Sequence, residues 1–407
     1  MWRVGVCRNP RQSGSTLSRP ERSIVIFRDH LGRYSETFIY AQAAAFQRFH
    51  PVFVGGRFIS RVPLQPFETL AANSGGVVGK AREYLFKRWR IAPEMMRQLR
   101  AIRPELIHAH FGPDGATAIP FARRLNAPLV VTFHGYDVTE DDEQARQSFY
   151  AHRLYVSRKD ELKRTGAAFI AVSRFVHDLL VQRGFPEERI FDHYIGIDLD
   201  LFTPDPAVPR EPVVLFVGRL VERKNCAQLI EAMSSIRSDI PNYRLVIIGD
   251  GPDEPMLRAM AAEKLPNTEF LGSQPPAEVH RWMNRAKLFC VPSRTAESGD
   301  AETFGMVFAE AMAMGVPVVS YVHGGIPEVV SHGETGFLAP EGDARELAEF
   351  IRLILNDDDT WRRMSEAGRP HVAKHFDVRK QTMLLEEFYE RVINEHRQRG
   401  SVEKVRA

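Results

Sequence analysis

Two carboxylates, Glu302 and Glu310, stand with seven residues between them around a Phe304-Gly305 turn. The apolar stretch Met306 to Met314 predicts a short helix, with Gly315 as its C′ stop and Val316 to Ser320 as a buried strand. Glu302 then lies in the loop ahead of the helix and Glu310 inside it. The free N–H groups around Gly305, Met306 and Val307 point out of the helix start, where an anion or a sugar hydroxyl docks. One acid before a helix N-terminus and one within it can hold two separate parts of a long polar ligand. Arg219 and Lys224 follow the apolar run Val213 to Val217 and flank a turn into a helix beginning near Asn225. That position suits phosphate binding by side chains plus a helix start. The plainer alternatives are acids that complement a helix dipole and cations that are merely solvated.

The carboxylate spacing resembles the Glu-x7-Glu motif of retaining glycosyltransferases of the GT-B fold, above all glycosyltransferase family 4 (group 1). Further segments follow in that family's order: Val213 to Asn225, Leu245 to Pro252, Phe270-Leu-Gly272, Val291-Pro-Ser293, Gly324-Gly325-Ile-Pro-Glu328 and Gly333-Glu-Thr-Gly336. Ser35-Glu36-Thr-Phe-Ile resembles members acting in exopolysaccharide and colanic-acid assembly. The resemblance implies an α/β, GT-B architecture: two Rossmann-like domains with parallel sheets facing across a cleft. It implies metal-independent transfer from a nucleoside-diphosphate sugar to a saccharide or lipid-linked saccharide, with retained anomeric configuration and no cofactor.

Breaking the anomeric bond leaves extra charge on the departing diphosphate, which some group must neutralise. The resemblance assigns that task to Arg219 and Lys224, with Gly218 fixed before them. It assigns the ribose hydroxyls to Glu310 and the donor sugar to Glu302, which would not act as a nucleophile. Phe304, Gly305, Met306 and Val307 fall on the donor side, and main chain at Leu271 and Gly272 near the base. In the first half, Val131-Thr-Phe-His134-Gly-Tyr-Asp137 resembles the family's His-Gly loop, which brings His134 toward the sugar and its leaving phosphate. Acceptor-side candidates are Gly32, Ser35 and Glu36 in one loop, and His110 and Asp114 in another. His108 and His110 alternate along a strand and point to one face, as core or as site groups.

The elements that must position these residues follow from length and periodicity. At roughly 100–200 residues per domain, a 407-residue chain makes two. Apolar runs at Ser23–Phe27, Val52–Val54, Leu106–His110, Leu129–Phe133, Ala168–Val172 and Ile190–Ile195 read as strands of an N-terminal domain over 23–200. Four prolines within 198–212 mark a linker, taken as 201–212. A donor domain over 213–379 follows. An amphipathic helix over 380–398 comes next, which in this fold family crosses back to the first domain, and then a tail over 399–407. Residues 1–22 are polar and Arg-rich and read as an N-terminal arm.

Net charge is +2, which gives no reason to expect a nucleic-acid partner. Three separated cysteines fit a reducing cytoplasm. Residues 80–103 carry eight Lys or Arg against two Glu, interleaved with Tyr84, Leu85, Phe86 and Trp89. That stretch suits either a solvated helix or peripheral contact with the inner face of a membrane. Asp198-Leu-Asp200 resembles an Asp-x-Asp metal motif but falls at the start of the linker, and no histidines have zinc-like spacing. Rival readings are a nucleotide-sugar epimerase, a non-catalytic nucleotide-sugar-binding subunit and an oxidoreductase, the last lacking a full Gly-x-Gly-x-x-Gly. With metal sites set aside, EDTA should leave most sugar-transfer activity intact. Complete loss restored by a divalent ion would overturn that expectation.

Overall fold

Short apolar runs alternating with helices form two separate parallel sheets in the computed structural model, which describes residues 22–33, 36–59, 66–147 and 149–406. Residues 1–21, most of the expected N-terminal arm, and Ser35 lie outside the described residues. Among the described residues, the first unit comprises 22–172, 176–196 and 378–406. Its strands are β1 (Ser23–Phe27), β2 (His30–Leu31), β3 (His50–Phe58), β4 (Glu68–Asn73), β5 (Leu106–His110), β6 (Leu129–Phe133), β7 (Ala168–Ala171) and β8 (Ile190–Asp192). The order is β2-β3-β1-β5-β6-β7-β8, with β4 also paired to β3. The central strands β5, β6 and β7 are buried throughout, as expected when helices cover both faces of a parallel sheet.

The second unit comprises 173–175 and 197–377. Its strands are β9 (Glu211–Val217), β10 (Arg244–Ile248), β11 (Glu269–Gly272), β12 (Ala286–Cys290), β13 (Val318–Val322) and β14 (Gly336–Pro340). They are ordered β11-β10-β9-β12-β13-β14, every pairing parallel. Residues 197–200, expected in the first domain, belong to the second unit. The Ile197 N–H ties them there by donating to the Phe376 carbonyl at 2.6 Å.

Several elements differ from expectation for local reasons. The strand after the Met306–Ala313 helix starts at Val318, not Val316. Gly315, at φ +68°, donates to Met312 O at 3.0 Å and Val316 to Ala311 O at 2.9 Å. These two bonds form a Schellman stop, so Val316 still belongs to the helix end. The linker ends two residues early, because Glu211 and Pro212 already lie in β9. Ser173, expected to cap the following helix, donates its hydroxyl to Thr303 O at 2.6 Å. The Glu328 carboxylate accepts instead from the N–H groups of Arg174 (2.8 Å) and Phe175 (3.2 Å).

The last helix runs from Val378 to Arg406, so the expected tail is helical over 399–406. Leu385, Phe388, Tyr389, Val392 and Ile393 are buried in one core with Ile24, Ile26, Tyr40, Phe49 and Val130. Within that core, one Glu386 oxygen accepts from the N–H groups of Gln47 (2.9 Å), Arg48 (2.6 Å) and Phe49 (3.3 Å). Glu386→Ala would leave three N–H groups in the unit without their acceptor. It should destabilise the first unit by about 3 kcal/mol, read as a lower urea midpoint, with Glu386→Gln milder.

Candidate functional site

In the second unit every strand points the same way, so the loops after β9, β10, β12 and β13 share one sheet edge, where open α/β folds place ligands. Glu302 sits in the loop after β12 and is buried. Its carboxylate pairs with Lys224 Nζ, lies 3.2 Å from Arg223 Nη1 and 3.4 Å from Ser293 Oγ. Arg223 also holds Asp300 at 2.9 Å. Burial alone would raise the Glu302 carboxyl, but Lys224 and Arg223 outweigh it and hold the group at about 2.

The Glu302 backbone is fixed as firmly as its side chain. Its N–H donates to His323 Nε2 at 3.1 Å, so the His323 proton sits on Nδ1, 2.8 Å from Glu341. Gly325 N–H donates to Glu302 O at 2.9 Å. Gly324 adopts φ +53°, and a Cβ there would stand 1.9 Å from Glu302 O. No other residue allows that approach.

Other expected donor residues are distributed unevenly. Gly218 lies along the Lys224 stem, since a Cβ on it would be 3.7 Å from Lys224 Cγ, Cδ and Cε. Arg219 is exposed and has no ion-pair partner among the described residues. Gly305 takes φ +83° and starts the Met306–Ala313 helix, with Met306 and Val307 half-buried. Phe304 is a core side chain, edge-on to Phe376 at 5.5 Å, so only its main chain is available to a ligand. Glu310 has no ion-pair partner among the described residues, and burial pushes it up to about 7. At the end of β11, Gly272 O accepts from Gly249 N–H at 2.9 Å, and Leu271 O accepts from Gln274 Nε2 at 2.5 Å. Asp198 folds back on the N–H groups of Asp200 (3.0 Å) and Leu201 (3.2 Å), which makes the Asp-x-Asp stretch a turn.

The first unit has its own polar cluster at the C-terminal ends of β1, β5 and β6. Arg28 is buried and forks onto Glu36 at 2.9 and 2.7 Å while reaching Asp114 at 2.5 Å. Its guanidinium lies 4.4 Å from the Phe111 ring centroid. Glu36 and Asp114 are therefore bound to Arg28 rather than displayed to solvent. Gly32 N–H donates to Tyr40 Oη at 2.7 Å. His110 Nδ1 lies 2.9 Å from His134 Nε2, and the two rings stack. His108 spans Tyr389 Oη (2.5 Å) and Thr132 Oγ1 (2.6 Å), which makes it a core histidine. Asp137 ties the two loops together, accepting from Gly112 N–H at 2.9 Å, Gly135 at 2.8 Å and His134 at 3.2 Å.

The comparisons with known proteins fit this arrangement. The family models described as "Glycosyltransferase Family 4" and "Glycosyl transferases group 1" match residues 35–201 and 202–371. The amylovoran biosynthesis glycosyltransferase AmsK of Erwinia amylovora is 31% identical over 71% of this chain and 70% of its own. The chain belongs to the family 4, group 1 glycosyltransferases. Proteins named "Putative colanic acid biosynthesis glycosyltransferase WcaL" in Salmonella typhimurium and Escherichia coli are each 34% identical. Those matches span 66% and 63% of this chain and the same shares of the relatives, just under two thirds. Anabaena HepE, solved in complex with UDP and glucose, superposes with a TM-score of 0.70 at 20% identity, covering 91% of this chain and 99% of HepE. The fold of this family member is GT-B.

Among the residues of these clusters that received no role from the sequence are Arg223, His323, Arg28 and Asp137. A signal existed for Asp137, since an Asp three residues after His134 in a Gly turn is a ready acceptor for loop N–H groups. Arg223 adjoins Lys224, but nothing local distinguishes it from a solvated cation.

Burial lowers His108 to about 3, aided by His193, and His193 itself to about 4. Both start from 6.5, so below that pH the unfolded chain binds protons that the folded unit refuses. These two histidines therefore lower the stability of the first unit as pH drops from 6.5 toward 4, each by about 1.4 kcal/mol per pH unit, a slope partly opposed by Asp114, whose carboxyl burial pushes up to about 7. Urea unfolding at stepped pH should show this slope, and His193→Gln should remove one histidine's share of it.

Proposed function

We propose that this chain transfers a sugar from a nucleoside-diphosphate sugar to a hydroxyl of a saccharide or lipid-linked saccharide, in cell-surface polysaccharide synthesis. Retention of anomeric configuration and independence from metal are part of the proposal. The observation that carries it is the cluster of Lys224 and Arg223 on a buried, ionised Glu302, just ahead of the helix start at Gly305. The names of AmsK and WcaL support the polysaccharide setting, and HepE's complex supports a nucleotide ligand.

The chemistry follows from charge. A diphosphate that approaches Lys224 meets a cation whose counter-ion is Glu302. Sharing Lys224 between phosphate and carboxylate would loosen Glu302 and free its oxygens to accept from sugar hydroxyls. As the anomeric bond breaks, charge grows on the phosphate oxygens, and Lys224, Arg219 and the N–H groups at Gly305 to Val307 are the donors assigned to it. The departing phosphate oxygen takes the acceptor proton. Glu310 is assigned to the ribose, and His134 with the acceptor-side loops to the first unit.

Thermal-shift screening against UDP-, GDP- and ADP-sugars tests the reading and identifies the base. One class should stabilise the chain, and Glu310→Ala should weaken that binding. Lys224→Ala should slow transfer by about 10²–10³-fold. Glu302→Gln, which removes the competing counter-ion, should bind nucleoside diphosphate at least as tightly while transfer falls. Wild-type turnover in Lys224→Ala would refute the phosphate role. Donor isomerised without any acceptor would favour the epimerase.

A further inference from the structure

The 14-residue helix Gly76–Trp89 has an inward side and an outward side of different character. Inward, Phe86 is fully buried, with ring centroids 6.0 Å from Phe27 and 5.7 Å from Phe121. Glu83 is held by Lys87 at 2.9 Å and Asn73 at 2.7 Å. Outward, Val77 is 84% exposed, Val78 65%, Tyr84 60% and Trp89 50%. Lys80, Arg82 and Arg88 are exposed among them, and this side carries no acid. Positions 78, 82, 85 and 89 form one helical row, and 77, 81, 84 and 88 the row beside it. The apolar and basic residues are therefore interleaved on one continuous face.

Two contacts make the face an ordered surface. Tyr84 and Trp89 meet edge-on at 5.5 Å, and the Arg88 guanidinium lies 5.8 Å from the Trp89 ring centroid. Tyr150 Oη reaches Arg88 O at 3.5 Å, and its chain neighbour Phe149 is 80% exposed. Exposed aromatic and aliphatic side chains gathered on one helix face are a mark of an interaction site.

The charge selects the occupant. A second copy meeting this helix with the same face would set Lys80, Arg82 and Arg88 against the same three cations. An anionic bilayer surface accepts all of them, while Val, Leu and Trp side chains enter the headgroup boundary and Tyr and Trp rings keep their polar tips wet. We propose that the outward face of Gly76–Trp89, with Phe149, docks on an anionic lipid bilayer. The surface differs from the stretch 80–103: it begins at Val77, ends at Trp89 and adds Phe149. The next helix, Pro93–Ile102, buries Met95, Met96 and Leu99 and pairs Glu94 with Arg97, so it offers no such face. Among the described residues no helix is long and apolar enough to cross a membrane, so this contact is interfacial. It stands independently of the sugar-transfer reading, because neither cluster of site residues takes part.

Sedimentation of the full chain with vesicles tests it. Wild type should pellet with vesicles of equal parts phosphatidylcholine and phosphatidylglycerol, but not with phosphatidylcholine alone, and raised salt should release it. Lys80→Glu with Arg82→Glu and Arg88→Glu should weaken partition by at least about tenfold. Val78→Asp with Trp89→Asp should do the same at unchanged thermal stability. Failure of folded wild type to bind the anionic vesicles at low salt overturns the proposal. So does unchanged binding by both variants. Loss of a wild-type dimer in the variants, without loss of lipid binding, would assign the face to a second copy instead.

Discussion

The second unit is organised around one buried carboxylate. Taking Glu302 out of water is costly, and the cost is offset only because Lys224 and Arg223 converge on it from a different loop. Removing either partner of such a pair strands a charge, so loop geometry and ionisation state are coupled. The backbone answers to the same constraint. Glu302 N–H is engaged by His323, and Glu302 O by Gly325, which requires the glycine pair after β13 to lie against it. Three loops from three strands are thus fixed by interactions with one residue, and the free N–H groups at Gly305 follow directly behind it.

The first unit solves a similar problem with different chemistry. Its strand-end loops are held by Arg28, shared between Glu36 and Asp114, and by Asp137, which gathers N–H groups from two loops. Between them lie histidines that burial keeps neutral: His110 and His134 fall well below their ordinary value, chiefly through burial. A neutral imidazole can both donate and accept at neutral pH, which a charged one cannot. In both units the polar work is done at the C-terminal edge of a parallel sheet, while the strands beneath are mostly apolar, with His108 and Thr132 paired to each other inside the first sheet.

The contrast between two helices of the first unit shows how burial, rather than composition, sorts similar sequences. Gly76–Trp89 and Pro93–Ile102 are both basic and both contain large apolar side chains. Met95, Met96 and Leu99 recur at core spacing and disappear into the unit, whereas Val77, Val78, Tyr84 and Trp89 do not. Composition over a window merges the two, and the contact pattern separates them.

Strand positions were legible because five-residue apolar runs bounded by turn residues have few alternatives: Ser23–Phe27, Leu106–His110 and Leu129–Phe133 appear where the pattern put them. Helix stops such as Gly315 were legible because only glycine takes that backbone conformation without strain. The spacing of Glu302 and Glu310 points to the family by itself. What the chain alone could not disclose were partners far apart in sequence. Arg28 meets Asp114 across 86 residues, Lys224 meets Glu302 across 78, and His108 meets Tyr389 across 281. Local pattern determines which segments become strands and helices, because backbone geometry and side-chain periodicity act over a few residues. Sheet order and loop packing decide which charges share a site and which histidines stay neutral, because those depend on distance and desolvation, and neither exists until the chain has folded.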